Sequence, residues 1–114
     1  MNKSGRLGAE WETAIVNLLL ERGWKYAERR RPAGKYDRGD ITGVRGVVIE
    51  AKNTARFEPG SFVDQAIHEA NNAVADFGIA FVKRRGKGPA QGYAITDIDT
   101  MLRMLRRLND LGGL

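Results

Sequence analysis

The chain contains no cysteine and only one histidine, His68, among its 114 residues. Those two shortages exclude disulfides, zinc fingers, thiol nucleophiles and any multi-histidine metal site within one subunit. No apolar run approaches the roughly 18 residues of a membrane span, and the first residues do not read as a secretory leader. A soluble, cytoplasmic protein with no membrane partner is the expectation, and nothing suggests a small-molecule organic cofactor. Internal repeats, low-complexity tracts and an inter-domain linker are also missing. The length suits one domain over residues 1–114, with a single core.

What the chain has in excess is positive charge, with 19 basic against 14 acidic residues and a net charge of +5. Arg29, Arg30, Arg31, Lys35 and Arg38 crowd one segment, and Lys83, Arg84, Arg85 and Lys87 a second. Arg103, Arg106 and Arg107 make a third cluster. Such patches suit nucleic acid through phosphate contacts and counterion release, or else a solvated surface that keeps the protein soluble. Clusters that flank a carboxylate site favour the first reading, because a phosphodiester needs positive charge to approach negative side chains.

The carboxylates lie in the stretch from Gly39 to Lys52. Two short β-branched runs, joined by a glycine-flanked turn, read as a hairpin with strands over about 40–44 and 46–52. Val47, Val48 and Ile49 suit a strand covered on both sides. Glu50 and Lys52 follow on one face, where a buried strand has no structural need of charge. Desolvating them costs on the order of several kcal/mol per ion unless they are paired or bind a metal. A three-residue loop Val44-Arg45-Gly46, with Gly46 left-handed, would pair Val47 with Gly43 and set Asp40 opposite Glu50. A two-residue turn would move Asp40 to a diagonal. Opposed carboxylates, with Cβ atoms about 4.5–5.5 Å apart, repel unless a proton or cation intervenes. Mg²⁺, or Mn²⁺ in its place, is the natural hard ion for oxygen ligands, with Lys52 beside it as a point charge.

Periodicity supplies the surrounding elements. Leu7, Trp11, Ala14, Ile15, Leu18 and Leu19 form a helical stripe that Gly23 stops, with Glu12 at its margin. A strand is expected over Trp24 to about Arg29. The second helix should start at Ser61, with Asp64 at capping-box spacing, and run to about Phe77, where Gly78 would end it. Its buried side should carry Phe62, Ala66, Ala70 and Val74, and its polar arc Gln65, His68, Glu69 and Asn72. His68 reads as a surface residue. Strands over 79–82 and 92–96 follow, then a last helix capped by Asp97 or Thr96, with Ile98, Met101, Leu102, Leu105 and Leu108 as its apolar face. Met104 and Leu111 widen that face, which points to core packing or to a dimer contact. The order α-β-β-β-α-β-β-α gives an α/β (α+β) fold, a mixed sheet flanked by helices.

Asp40, nine residues, then Glu50-Ala51-Lys52 resembles the PD-(D/E)XK nuclease signature, with Gly39 in place of its proline. The element order is that of the restriction-endonuclease-like core, α-β-β-β-α-β. More narrowly, Gly8-Ala9-Glu10-Trp11-Glu12 and Val63-Asp64-Gln65-Ala66 are similar to the two helix motifs of the small archaeal-type Holliday-junction resolvases, which also occur in bacterial viruses. The likeness spans roughly residues 5–85. It implies a Mg²⁺-dependent endonuclease that resolves four-way DNA junctions as a homodimer. Glu12, Asp40, Glu50 and the Ala51 carbonyl would hold metal, Lys52 would be catalytic, and Gln65 would support them. The serine that the archaeal enzymes place before the aspartate is missing here, which leaves phosphate contact to Arg30 or Arg31. Two alternatives stand beside this. One is a related nuclease acting on flaps, single strands or duplex; the other is a non-catalytic DNA-binding protein whose carboxylates form salt bridges.

Overall fold

The computed structural model describes residues 3–30 and 39–112. Arg31, Lys35 and Arg38 of the first basic cluster therefore lie outside the described residues. In chain order the elements are α1 (Lys3–Glu21), β1 (Glu28–Arg29), β2 (Ile41–Thr42), β3 (Val47–Lys52), α2 (Pro59–Asn72), β4 (Phe77–Val82), β5 (Tyr93–Ile95) and α3 (Ile98–Gly112). A single 3-10 turn, Pro89–Gln91, precedes β5. Among the described residues the strands form one five-stranded sheet in sequential order, β1 to β5. Only the β3–β4 pair is parallel, because α2 intervenes and returns the chain to the same end of the sheet. This is the expected mixed sheet with helices packed against it. No helix among the described residues is long and apolar enough to cross a membrane.

The pleat divides β3 between two layers. Ile49 joins Trp11, Ile15 and Leu19 of α1 with Ala27 and Ile41 in the main core, and Val47 and Ala51 pack at its edge. Burying an isoleucine fully stabilises the fold by about 1.5–3 kcal/mol, and Ile15, Ile41 and Ile49 are all buried. The Trp11 indole N–H donates to the Phe81 carbonyl at 3.0 Å, so burying this ring leaves no donor unpaired. The alternate residues of β3, Val48, Glu50 and Lys52, belong to the layer that holds α2.

The hairpin is built as the three-residue loop requires. Gly46 has φ +78°, and the Val47 amide bonds the Val44 carbonyl at 3.1 Å. Ile41 pairs with Ile49, and the Asp40 amide bonds the Ile49 carbonyl at 3.1 Å. Asp40 thus falls opposite Glu50, not on the diagonal.

Several boundaries differ from the periodic reading. Residues 24–27 form a turn, Ala27 amide to Trp24 carbonyl at 3.1 Å, so β1 keeps only two residues. α2 begins at Pro59, whose fixed φ suits a first helical turn, and no side chain caps it. It ends at Asn72 rather than near Phe77. The Asp76 and Phe77 amides both bond the Gly46 carbonyl at 3.0 Å, and Phe77 pairs with Val47, so strand pairing takes Phe77 out of the stripe; Val74, expected on the buried side, lies past the helix end and is exposed. Gly78 lies within β4 and does not stop the helix. A Cβ there would collide with the Ala66 carbonyl, so this glycine lets α2 lie against the sheet.

The third helix is capped as expected by Asp97, whose Oδ1 accepts from the Thr100 amide at 2.7 Å. Its apolar face does not enter the core. Ile98, Met101, Leu102, Leu105, Leu108 and Leu111 are all exposed. The contact with the body comes instead through buried Thr100 and through Arg103 and Arg107, which lie over the Phe77 ring. Arg103 also donates to the Asp76 carbonyl at 2.8 Å, and Arg107 to Asp76 Oδ2 at 2.9 Å. Two arginines of the third basic cluster are thus anchors for this helix.

Candidate active site

Four carboxyl groups from four elements stand in a row at one end of the sheet. Glu12 of α1 lies beside Asp40, Asp40 beside Glu50 of β3, and Glu50 beside Glu69 of α2. Among the described residues no three acidic or histidine side chains close around a common point as a ready-made metal cage. Each acid touches only the next one along the row.

Glu50 is only 3% exposed. Its Oε1 accepts from Gln65 Nε2 at 3.2 Å and lies 3.4 Å from Lys52 Nζ. Its Oε2 is buried and has no hydrogen-bond partner. Burial first, then the Glu69 and Asp40 carboxyls, push its pKa up to about 11 from an ordinary 4.5. The nearby Lys52 ammonium suggests an ionised pair, but one cation at 3.4 Å does not offset desolvation and two acidic neighbours. On these residues alone Glu50 holds a proton at neutral pH.

Asp40 is fixed by the hairpin, its Oδ2 accepting from the Ala51 amide at 2.8 Å. Glu12 accepts from Arg29 Nη2 at 2.9 Å and Nε at 3.2 Å. Burial and the Asp40 charge raise the pKa of Glu12, while the Arg29 guanidinium partly opposes them. Arg29, expected on a DNA surface, is therefore committed to an acid of the row. Arg30 anchors the hairpin, donating to Thr42 Oγ1 at 2.9 Å.

Gln65 links the parts. Its Nε2 donates to Glu50 Oε1 and, at 3.1 Å, to Glu69 Oε1, while its Oε1 accepts from the Lys52 ammonium. Such a side chain fixes the spacing of acid and amine through both ends of one amide. His68 lies on the exposed side of α2, its Nε2 3.4 Å from Asn72 Nδ2.

Glu69 corrects the sequence reading, which placed it on the polar arc. It is 2% exposed, and its Oε2 is a second buried oxygen without a partner. The signal was present: Glu69 follows Phe62 by seven residues, nearly two turns, and so shares its side of the helix.

Because β3 and β4 run parallel, their C-terminal ends lie together, and the Lys83 amide bonds the Lys52 carbonyl at 2.9 Å. The second basic cluster, Lys83, Arg84, Arg85 and Lys87, therefore follows directly from the strand end beside Lys52. Glu12, Asp40, Glu50, Lys52 and Gln65 form a chain of pairwise neighbours, and the Ala51 amide holds Asp40, although they come from separate parts of the sequence.

Comparison with protein-family models, curated proteins and solved structures finds no match. What the site does must be read from its own chemistry.

The donor set fits a hard divalent cation. Two adjacent carboxyl groups, Asp40 and Glu50, are of the kind that holds Mg²⁺, which binds one or two carboxylates and keeps several waters. No N–H group donates to the buried Glu50 Oε2, and the carboxyls of Glu69 and Asp40 are its acidic neighbours. A cation there would oppose the two causes that hold the proton on Glu50, burial and like charge.

Proposed function

We propose that this chain is a Mg²⁺-dependent DNA endonuclease, with Mn²⁺ able to substitute, that cuts four-way junctions by hydrolysing a phosphodiester in each of two strands. The observation that carries this is the buried Glu50, ionisable yet unpaired at one oxygen, beside Asp40 on one side and Lys52 on the other. A stability-driven sheet has no use for that grouping, since apolar residues of similar volume serve at least as well.

Asp40 and Glu50 would hold the ion, with the Ala51 carbonyl as a further ligand and Glu12 at the end of the row. The bound ion supplies a polarised phosphate and a water acidic enough to attack at neutral pH. Asp40, held by the Ala51 amide, keeps its position as charge changes around it. Lys52 offers an ammonium to the negative charge that builds on the phosphate, and Gln65 aims it. Arg29 moderates the negative charge of Glu12. Lys83, Arg84, Arg85 and Lys87 would receive flanking phosphates.

Junction resolution requires two sites, hence two copies of the chain. The uncovered face of α3 supports pairing: Ile98, Met101, Leu102, Leu105, Leu108 and Leu111 are exposed along the whole helix, and a standard interface takes about 800 Å² from each partner. The deciding experiment is a gel assay with an immobile four-way junction, with and without Mg²⁺. Symmetric cleavage that needs Mg²⁺ is expected, and Glu50→Ala should bind without cutting. Equal cutting of linear duplex would remove junction selectivity and leave a related nuclease. Binding with no cutting under any metal would leave the non-catalytic DNA-binding reading.

A further inference from the structure

Phe57 and Tyr93 are 57% and 48% exposed, although both are aromatic and both lie beside the basic loop after β4. They come from segments far apart in sequence, yet their ring centroids are 5.9 Å apart at an interplanar angle of 50°. With Val82, Ala94 and Ile95 they line an open cavity of about 570 Å³, whose rim carries Arg85; the Lys83 ammonium lies instead over the Trp11 ring, 5.6 Å from its centre. Arg84 stacks over Tyr93, its guanidinium carbon 4.9 Å from the ring centre.

This hollow is joined to the acidic site by a file of rings. The Phe57 ring meets the edge of Phe62 at 6.2 Å, and the Lys52 ammonium lies 5.7 Å from the centre of Phe62. A polynucleotide strand with one phosphate at Lys52 would therefore carry its neighbouring nucleotide across the Phe62 edge toward Phe57 and Tyr93.

We infer that Phe57 and Tyr93 form a stacking platform for an unpaired base next to the phosphate at Lys52, with Arg84 and Arg85 holding the adjoining backbone. Exposed rings combined with cations along one path are the means by which proteins grip single-stranded nucleic acid. A base within an intact duplex presents its faces only to other bases and cannot reach the platform. The site's substrate class is then a strand whose bases are free to unstack, at a branch point or beside a single-stranded segment. An apolar peptide would use the rings but not the two arginines beside them. The inference rests on the nuclease reading for the phosphate at Lys52.

The test is fluorescence anisotropy in EDTA with the full chain, using a labelled duplex that ends in a short single-stranded overhang and a blunt duplex of equal length. One stacked base is worth about 1–3 kcal/mol, so the overhang should bind about 5- to 150-fold tighter. Phe57→Leu and Tyr93→Leu, which keep apolar bulk but remove the ring, should each erode that ratio, while Phe57→Trp should preserve it. The ratio is taken within one preparation, so it is insensitive to a fraction of unfolded protein. Equal binding of both probes by the parent protein, or an unchanged ratio in both leucine variants, overturns the platform. Cleavage is not needed for this measurement. A preserved ratio with no metal-dependent cutting would sink the nuclease reading alone, and cutting without the ratio would sink the platform alone.

Discussion

Replacing Glu50 by glutamine should stabilise the protein at neutral pH, in the absence of divalent metal, while abolishing cleavage. The buried carboxyl has its pKa pushed up to about 11, against 4.5 for an ordinary glutamate. A group with a raised folded pKa contributes fully below its unfolded value and loses that contribution as pH rises toward the folded one. For Glu50 the window opens near pH 4.5, and stability falls through it by about 1.4 kcal/mol per pH unit. By pH 7.5 the cost is about 4 kcal/mol, a large share of the 5–15 kcal/mol that a small domain possesses. Glutamine has the same shape and no charge, and its amide can donate to the unpartnered Glu69 oxygen. For a chain of this length that difference corresponds to a melting temperature higher by up to about 15 °C. The assay is thermal unfolding followed by circular dichroism in EDTA, from pH 4.5 to pH 8, for both proteins. The two curves should converge at the acidic end and separate steadily above it. Adding Mg²⁺ at pH 7.5 should raise the parent's melting point and leave the variant's unchanged; an ion at tenfold its dissociation constant adds about 1.4 kcal/mol. Parallel curves across the pH range would refute the claim that Glu50 is the group held neutral.

Lys52→Met keeps the apolar stem over Phe62 and removes the ammonium; single-turnover cleavage should fall by about 10²-fold or more with the fold intact by circular dichroism. Leu105→Asp on the open face of α3 should yield a monomer with the parent's circular-dichroism spectrum where the parent sediments as a dimer, and lower the melting temperature by what the lost association contributed; a monomeric parent would remove that interface. Val74 follows α2 with φ +53° and is 92% exposed, a left-handed position that a β-branched residue disfavours by about 1–2 kcal/mol. Val74→Gly should therefore raise stability in urea by roughly 0.5–1 kcal/mol once the entropy of glycine is counted, and a lower midpoint would contradict the strain.

Some of the site was legible before any coordinates. Gly46 after Val44-Arg45 selects a loop with one left-handed residue, and that loop sets the register that places Asp40 opposite Glu50. This is local chemistry, decided within about a dozen residues. The stripe through Trp11, Ile15 and Leu19 likewise names the face of α1 that is buried, because a helix repeats every 3.6 residues whatever it packs against. The end of α2 was not legible by the same means. Ala70, Val74 and Phe77 continue a helical stripe, and only the pairing of Phe77 with Val47, thirty residues earlier, turns the last of them into strand. Periodicity reads local preference and has no term for a parallel partner that arrives by crossover.

Sequence alone settled the hairpin, the buried face of α1 and the order of the elements, and it narrowed the hairpin register and the cap of α3 to two choices each. Each depends on contacts between near neighbours or on a fixed backbone repeat. Tertiary structure alone decided that Glu69 would be buried against Gln65, that Arg29 would be committed to Glu12, and that Phe57 and Tyr93 would meet beside Lys52. It also decided that α3 would rest on its arginines and leave its leucines uncovered. Those outcomes depend on how whole elements are placed against one another, and a charge or an aromatic ring acquires its environment only when that placement is complete.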